Sequence, residues 1–134
     1  MGRDSCSRRS LLAATAVGAA TLAGCVDEGR CRTVFDGTAK VPREEVEIYD
    51  ADAEAGQRLY VRFRRIEGPR ASLSVFDPNE ETLLSRRDVD RLEEVFEISE
   101  PGTYPVVTRN ESSSGRGRWE TTVVVYRGWC SDVY

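Results

Sequence analysis

Histidine is absent from this 134-residue chain, which removes the commonest general base and with it the Ser-His-Asp and Cys-His dyads. Paired carboxylates could still act on glycosidic bonds, and Glu80-Glu81 and Glu93-Glu94 are available. Neighbours on a strand point to opposite faces, however, so both pairs read as solvated surface. Asp50, Asp52 and Glu54 alternate in a stretch that reads as a polar turn and could offer oxygen ligands to calcium, with Asp50 and Asp52 the metal candidates. An EF-hand loop counted from Asp50 would need glycine where Ala55 stands, with Gly56 one place late, so the alternative is a solvated acidic turn. No catalytic residue and no cofactor is expected.

Other polar groups have two readings each. Arg62, Arg64, Arg65, Arg86, Arg87 and Arg91 could gather as an anion-binding patch, or they could pair with the interspersed Asp88, Asp90, Glu93 and Glu94. Asn110-Glu111-Ser112 is a glycosylation sequon in an expected surface loop, which makes Asn110 a modification candidate. Trp119, Tyr126, Trp129 and Tyr134 could form a carbohydrate or partner platform. Core packing accounts for Trp119 and Trp129 instead.

The first 24 residues have a basic start, an apolar run from Leu11 to Ala23 and a small-residue exit at Gly24. That is the layout of an export signal. The run has 13 residues, whereas a helix crossing a bilayer core needs about 20. Ser7-Arg8-Arg9-Ser10-Leu11-Leu12 resembles the twin-arginine signal, which serves proteins that fold before export. Leu22-Ala23-Gly24-Cys25 resembles a lipobox. The resemblance implies a signal helix over 1–24, cleavage before Cys25, a thioether-linked lipid on that sulfur, and a tether over 25–30. Two lipid chains suffice for lasting attachment. Cys6 would be removed with the signal, leaving Cys31 and Cys130 for a disulfide that ties the first ordered strand to the last. Two buried thiols are the alternative. Zinc lacks a ligand set here, because two separated cysteines stand without histidine.

The net charge is -4 from 19 basic and 23 acidic residues, and the signal takes three arginines and one aspartate with it. The mature part, with 16 basic and 22 acidic residues, is at -6. So acidic a surface argues against a nucleic-acid partner, since that affinity comes from cationic groups on phosphates. Lys40 is the only lysine. An acidic, lysine-poor composition is similar to that of salt-loving archaea, and with the signal it resembles a twin-arginine-exported lipoprotein precursor of haloarchaeal type.

Beyond the tether, residues 31–134 read as one domain of short strands. Arg58 to Ile66 alternates, with Leu59, Val61 and Phe63 on one face and Tyr60, Arg62 and Arg64 on the other. Leu73 and Val75 share a face within Ala71 to Phe76, and Asp77-Pro78-Asn79-Glu80 closes that run as a turn. Val46 to Tyr49, a strand beginning at Leu83-Leu84, and Val95 to Ile98 follow the same reading, while the charged stretch Asp88 to Glu94 could form a helical turn. Thr103 to Thr108 and Arg118 to Tyr126 are expected to close the domain as a pair of adjacent strands. In the last of them Trp119, Thr121, Val123 and Val125 share a face. Seven or eight strands without a helical period predict an all-β fold, a small antiparallel β-sandwich of jelly-roll type.

Gly56-Gln57-Arg58-Leu59-Tyr60-Val61, Leu73-Ser74-Val75-Phe76-Asp77-Pro78-Asn79 and Pro101-Gly102-Thr103-Tyr104-Pro105-Val106-Val107 together resemble GOLD-like or pre-peptidase-C-terminal-like β-sandwich domains. The usual glycine after the Asp-Pro turn is replaced by Glu80. The resemblance implies an extracytoplasmic, non-enzymatic interaction module, lipid-anchored at the outer face of the cell membrane, with an envelope protein or a glycan as partner. The alternatives are a solute- or ion-binding accessory component and a purely structural envelope protein.

Overall fold

The computed structural model describes residues 31–131 and 133. Arg8, Arg9 and Cys25, with the signal and tether, lie outside the described residues, as do Asp132 and Tyr134. Eight strands follow in order: β1 (Cys31–Val41), β2 (Val46–Ala53), β3 (Arg58–Glu67), β4 (Ala71–Phe76), β5 (Thr82–Val89), β6 (Arg91–Glu97), β7 (Gly102–Arg109) and β8 (Gly117–Tyr126). They form two four-stranded sheets, ordered β1-β8-β3-β6 and β2-β7-β4-β5, and every pair is antiparallel. Consecutive strands cross from one sheet to the other at most connections. This is the interleaved order of an eight-stranded jelly roll.

Alternation builds the core. Leu59, Val61 and Phe63 on β3, Leu73 and Val75 on β4, and Val106 on β7 have no exposed surface. Burying each contributes roughly 1.5–3 kcal/mol. Trp119 meets Phe63 edge-on, with ring centroids 5.6 Å apart, and its indole N–H donates to the Pro69 carbonyl at 3.1 Å. At one side of the sandwich Phe35 of β1 stacks on Tyr49 of β2 at 4.3 Å, joining edge strands of opposite sheets.

β8 departs from simple alternation because both of its faces are covered. Trp119, Val123 and Val125 point into the main core, whereas Val124 and Tyr126 join Tyr60 and Cys130 in a second cluster. The segment after β8 folds over the outer side of the first sheet there. The expected disulfide is present: Cys31 and Cys130 are bonded, with Cα atoms 5.8 Å apart across a sequence separation of 99.

The turns explain two residues well. Asp77 accepts from the backbone N–H groups of Asn79 at 2.8 Å and Glu81 at 2.9 Å, which folds the expected turn with Glu80 at φ 68°. Gly68 sits at φ 85°, and a Cβ there would lie 2.2 Å from the Arg116 carbonyl oxygen, so only glycine lets the β3–β4 connection pass the β7–β8 loop.

Three expectations are corrected. Asp50 and Asp52 belong to β2, and the turn begins only at Glu54. Asp88 to Glu94 holds no helical turn: β5 runs to Val89 and β6 starts at Arg91. Both are sheet edges, where charged side chains find water on strands as easily as on helices. β7 and β8 do not pair with each other, for β7 lies between β2 and β4, and β8 between β1 and β3.

Candidate functional site

The two outer faces differ in what they leave uncovered. On the β1-β8-β3-β6 sheet, polar side chains across neighbouring strands satisfy one another. Arg64 bonds Glu120 at 3.0 Å. Thr122 donates to Asp36 at 3.0 Å and accepts from Arg62 at 3.4 Å, and the Tyr60 hydroxyl donates to Glu93. Desolvation, and then the hydrogen bond and charge of Glu93, push the Tyr60 phenol up to about 12. Of the expected arginine pairs, Arg65 with Asp90 forms at the nearby edge at 2.5 Å, where Arg70 also reaches Asp90 at 3.5 Å, whereas Arg64 takes Glu120 instead. The Arg65 hydrogen bond is the chief cause that holds Asp90 below its usual range.

The outer face of the β2-β7-β4-β5 sheet is built otherwise. The register sets Val46 beside Arg109, and Arg109 beside Ser72; one step along, Ile48 lies beside Val107, Val107 beside Ser74, and Ser74 beside Ser85. The three serines are too short to fill the space between their neighbours. A groove of about 560 Å³ results, crossing all four strands. Its floor is Ser72, Ser74 and Ser85, one wall is apolar through Val46, Ile48, Val107 and Phe76, and Arg86, Arg87 and Arg109 stand at the end nearest the β7–β8 loop. Ile48 is 57% exposed on the edge strand β2. Glu111 tempers the basic end. It pairs with Arg87 at 3.2 Å, and its carboxyl is held below the usual range by the Ser72 hydroxyl first and by Arg87 next. Such a surface can bind an apolar side chain flanked by an acid.

Of the sequence candidates, Arg86 and Arg87 line this groove, and the acidic ones lie elsewhere. Asp50 and Asp52 are exposed on β2 at the opposite end of this face. Asp52 accepts from the Thr103 hydroxyl at 2.6 Å, and Arg32 donates to its backbone carbonyl. A cleft of about 540 Å³ opens there between Arg32, Asp52, Gln57 and Thr103. No group of three or more acidic or cysteine residues suited to a metal occurs among the described residues. Glu93 and Glu94 face opposite sides of β6, and Glu80 and Glu81 lie exposed in the turn.

Asn110 lies inside the fold and not on an open loop surface. Its side chain is fully buried, and its amide nitrogen, the atom that would carry a glycan, donates to the carbonyls of Val41 at 2.9 Å and Gly115 at 2.8 Å. Its oxygen accepts from Ser112 N–H at 3.0 Å. The asparagine shapes the loop, and the folded chain offers no amide to modify. The aromatic residues separate too: Trp119 and Tyr126 are buried, but Trp129, expected in the core, is 64% exposed. The groove itself went unforeseen. The serine alternation in Ser72-Leu73-Ser74 was its only local signal, and its depth depends on pairing with β5 and β7.

An eight-stranded jelly roll with a groove across one sheet face defines a class of architecture. No protein-family model matches the chain, and no curated protein matches it. Among solved structures, the chain is similar to PliG of Aeromonas hydrophila, a periplasmic lysozyme inhibitor of g-type lysozyme, at TM-score 0.50 and 16% identity over 74% of this chain and 89% of that one. A structure of infectious bursal disease virus Gx strain aligns over 75% of this chain and 32% of its own at 12% identity and TM-score 0.36, too remote to bear on the fold. The likeness to PliG is one of fold.

Proposed function

We propose that this chain is a lipid-anchored extracytoplasmic binding module, without catalytic activity, that holds an envelope protein on the outer face of its β2-β7-β4-β5 sheet. The groove carries the reading: it combines exposed Ile48, apolar walls and arginines, the mixture that protein interfaces favour. A glycan partner would need flat stacking surfaces, and Phe76 is the lone aromatic lining this groove. The absence of histidine and the dispersal of the carboxylates support a role in binding. PliG, a protein whose work is to inhibit another protein, has a similar fold, which is compatible with that role.

The location rests on the sequence. Arg8-Arg9 directs export by the twin-arginine route, Cys25 carries the lipid, and the precursor is of haloarchaeal type. Cell fractionation tests this part. Cys25→Ser is expected to move the mature protein from the membrane to the medium, and Arg8→Lys with Arg9→Lys to hold the precursor inside the cell. Full membrane retention of the first variant, or unchanged export of the second, contradicts the assignment.

A further inference from the structure

Trp129 has no explanation in the fold. It is the most exposed of the large apolar residues described, at 64%, yet its backbone is held on both sides. Arg127 donates to the Ala55 carbonyl at 3.3 Å, Gly128 takes a left-handed turn at φ 71°, and Cys130 is buried and bonded to Cys31. The indole is therefore displayed on a fixed mount. Its body is apolar and its N–H polar, the combination that settles at the boundary between water and a bilayer.

Its place in the molecule is equally specific. The disulfide puts Trp129 beside Cys31, the first described residue, with Cα atoms of the bonded pair 5.8 Å apart. Six chain steps separate Cys31 from Cys25, so the tether reaches at most about 20 Å. Charge is unevenly divided at this end. Asp50, Asp52 and Glu54 on β2 and its turn, with Asp77, Glu81 and Glu100 on the neighbouring turns, make the side of the β2-β7-β4-β5 sheet acidic. Cys130, next to Trp129 in the chain, packs on Tyr60, Val124 and Tyr126 of the other sheet, whose charge is mixed, with Arg58, Arg62, Arg64 and Arg91 among Asp36, Glu93, Glu97 and Glu120.

We infer that Trp129 is a second membrane contact, its indole seated in the interface of the leaflet that holds the lipid on Cys25. The inference rests on the anchored reading of Cys25. Contact through Trp129 turns the acidic side away from an anionic leaflet and leans the sandwich on its β1-β8-β3-β6 sheet. The groove on the opposite sheet then faces outward, free for its partner.

Tryptophan fluorescence tests the contact directly, because the chain has two tryptophans and Trp119 is buried. Full-length protein purified from membranes is incorporated into vesicles of equal parts phosphatidylcholine and phosphatidylglycerol, with or without bromine on the acyl chains. The difference between wild type and Trp129→Phe isolates the emission of Trp129. That emission is expected to shift to the blue and to lose about half its intensity to brominated lipid, as an indole at the interface should. If the protein floats with the vesicles but Trp129 stays unquenched, the contact is refuted and the anchor stands. Protein that fails to float refutes the anchor and the inference with it. A blue shift without quenching by bromine places the indole against protein and also overturns the contact.

Discussion

Removing the Cys31–Cys130 bond should cost this fold about as much as truncating one of its largest core side chains. The bond closes a loop of sequence separation 99, and for a loop of about 100 residues the chain-entropy relation gives about 4.7 kcal/mol at 25 °C. A domain of about 100 residues unfolds with an entropy near 0.2 kcal/mol/K, so the loss corresponds to about 20 °C in Tm. Total stability for such a domain is roughly 5–15 kcal/mol, which leaves the reduced protein close to its threshold. The second cluster adds to the effect, since Cys130 is its lid over Tyr60, Val124 and Tyr126. Urea unfolding of the wild type and of Cys31→Ser/Cys130→Ser, followed by the emission of buried Trp119, measures the difference. The midpoint should fall while the slope rises modestly, because the uncrosslinked unfolded chain exposes more surface. Equal midpoints for the two proteins would refute the reasoning, and would mean that the last segment is held by packing alone.

Two further outcomes follow from buried polar groups. Asn110→Ala should destabilise the domain by about 1–3 kcal/mol, because two carbonyls lose their donor; mass spectrometry of the exported wild type should find Asn110 unmodified, and a glycan there would contradict its burial. Tyr49 and Tyr60 are both raised from 10.0 to about 12, chiefly by desolvation. Keeping these phenols protonated stabilises the fold fully below pH 10, and that contribution is lost as pH rises from 10 towards 12. Tyrosinate absorbance should therefore rise together with unfolding in that window, and smooth titration near 10 with the fold intact would count against it.

The legible parts of the fold were those where one face is buried and the other wet. β4 alternates for that reason, as does β3 apart from Tyr60 in the second cluster, and Leu59, Val61, Phe63, Leu73 and Val75 fall in the core as their spacing implies. Local chemistry also marked the Asp77 turn. The pairing of strands was not legible, because a jelly roll sends the chain across to the other sheet and places β7 and β8 apart. Acidic residues misled where they line an exposed strand: Asp50 and Asp52 suit a turn by composition, but β7 provides a partner that keeps them extended. The groove depends on three serines from β4 and β5 meeting side by side, a coincidence of register that no window of sequence contains. Trp129 reads as core because an isolated tryptophan usually is, yet it is exposed.

The central claim is that the β2-β7-β4-β5 face binds a protein at the cell surface. Photo-crosslinking in intact cells tests it most directly, with a photoreactive amino acid placed at Ile48 in the groove or at Arg62 on the opposite sheet. A single discrete adduct from position 48, abolished by adding Arg109→Glu and absent from position 62, is the predicted result. Adducts of equal yield from both positions, or none from position 48 in cells where the protein is surface-exposed, would contradict it.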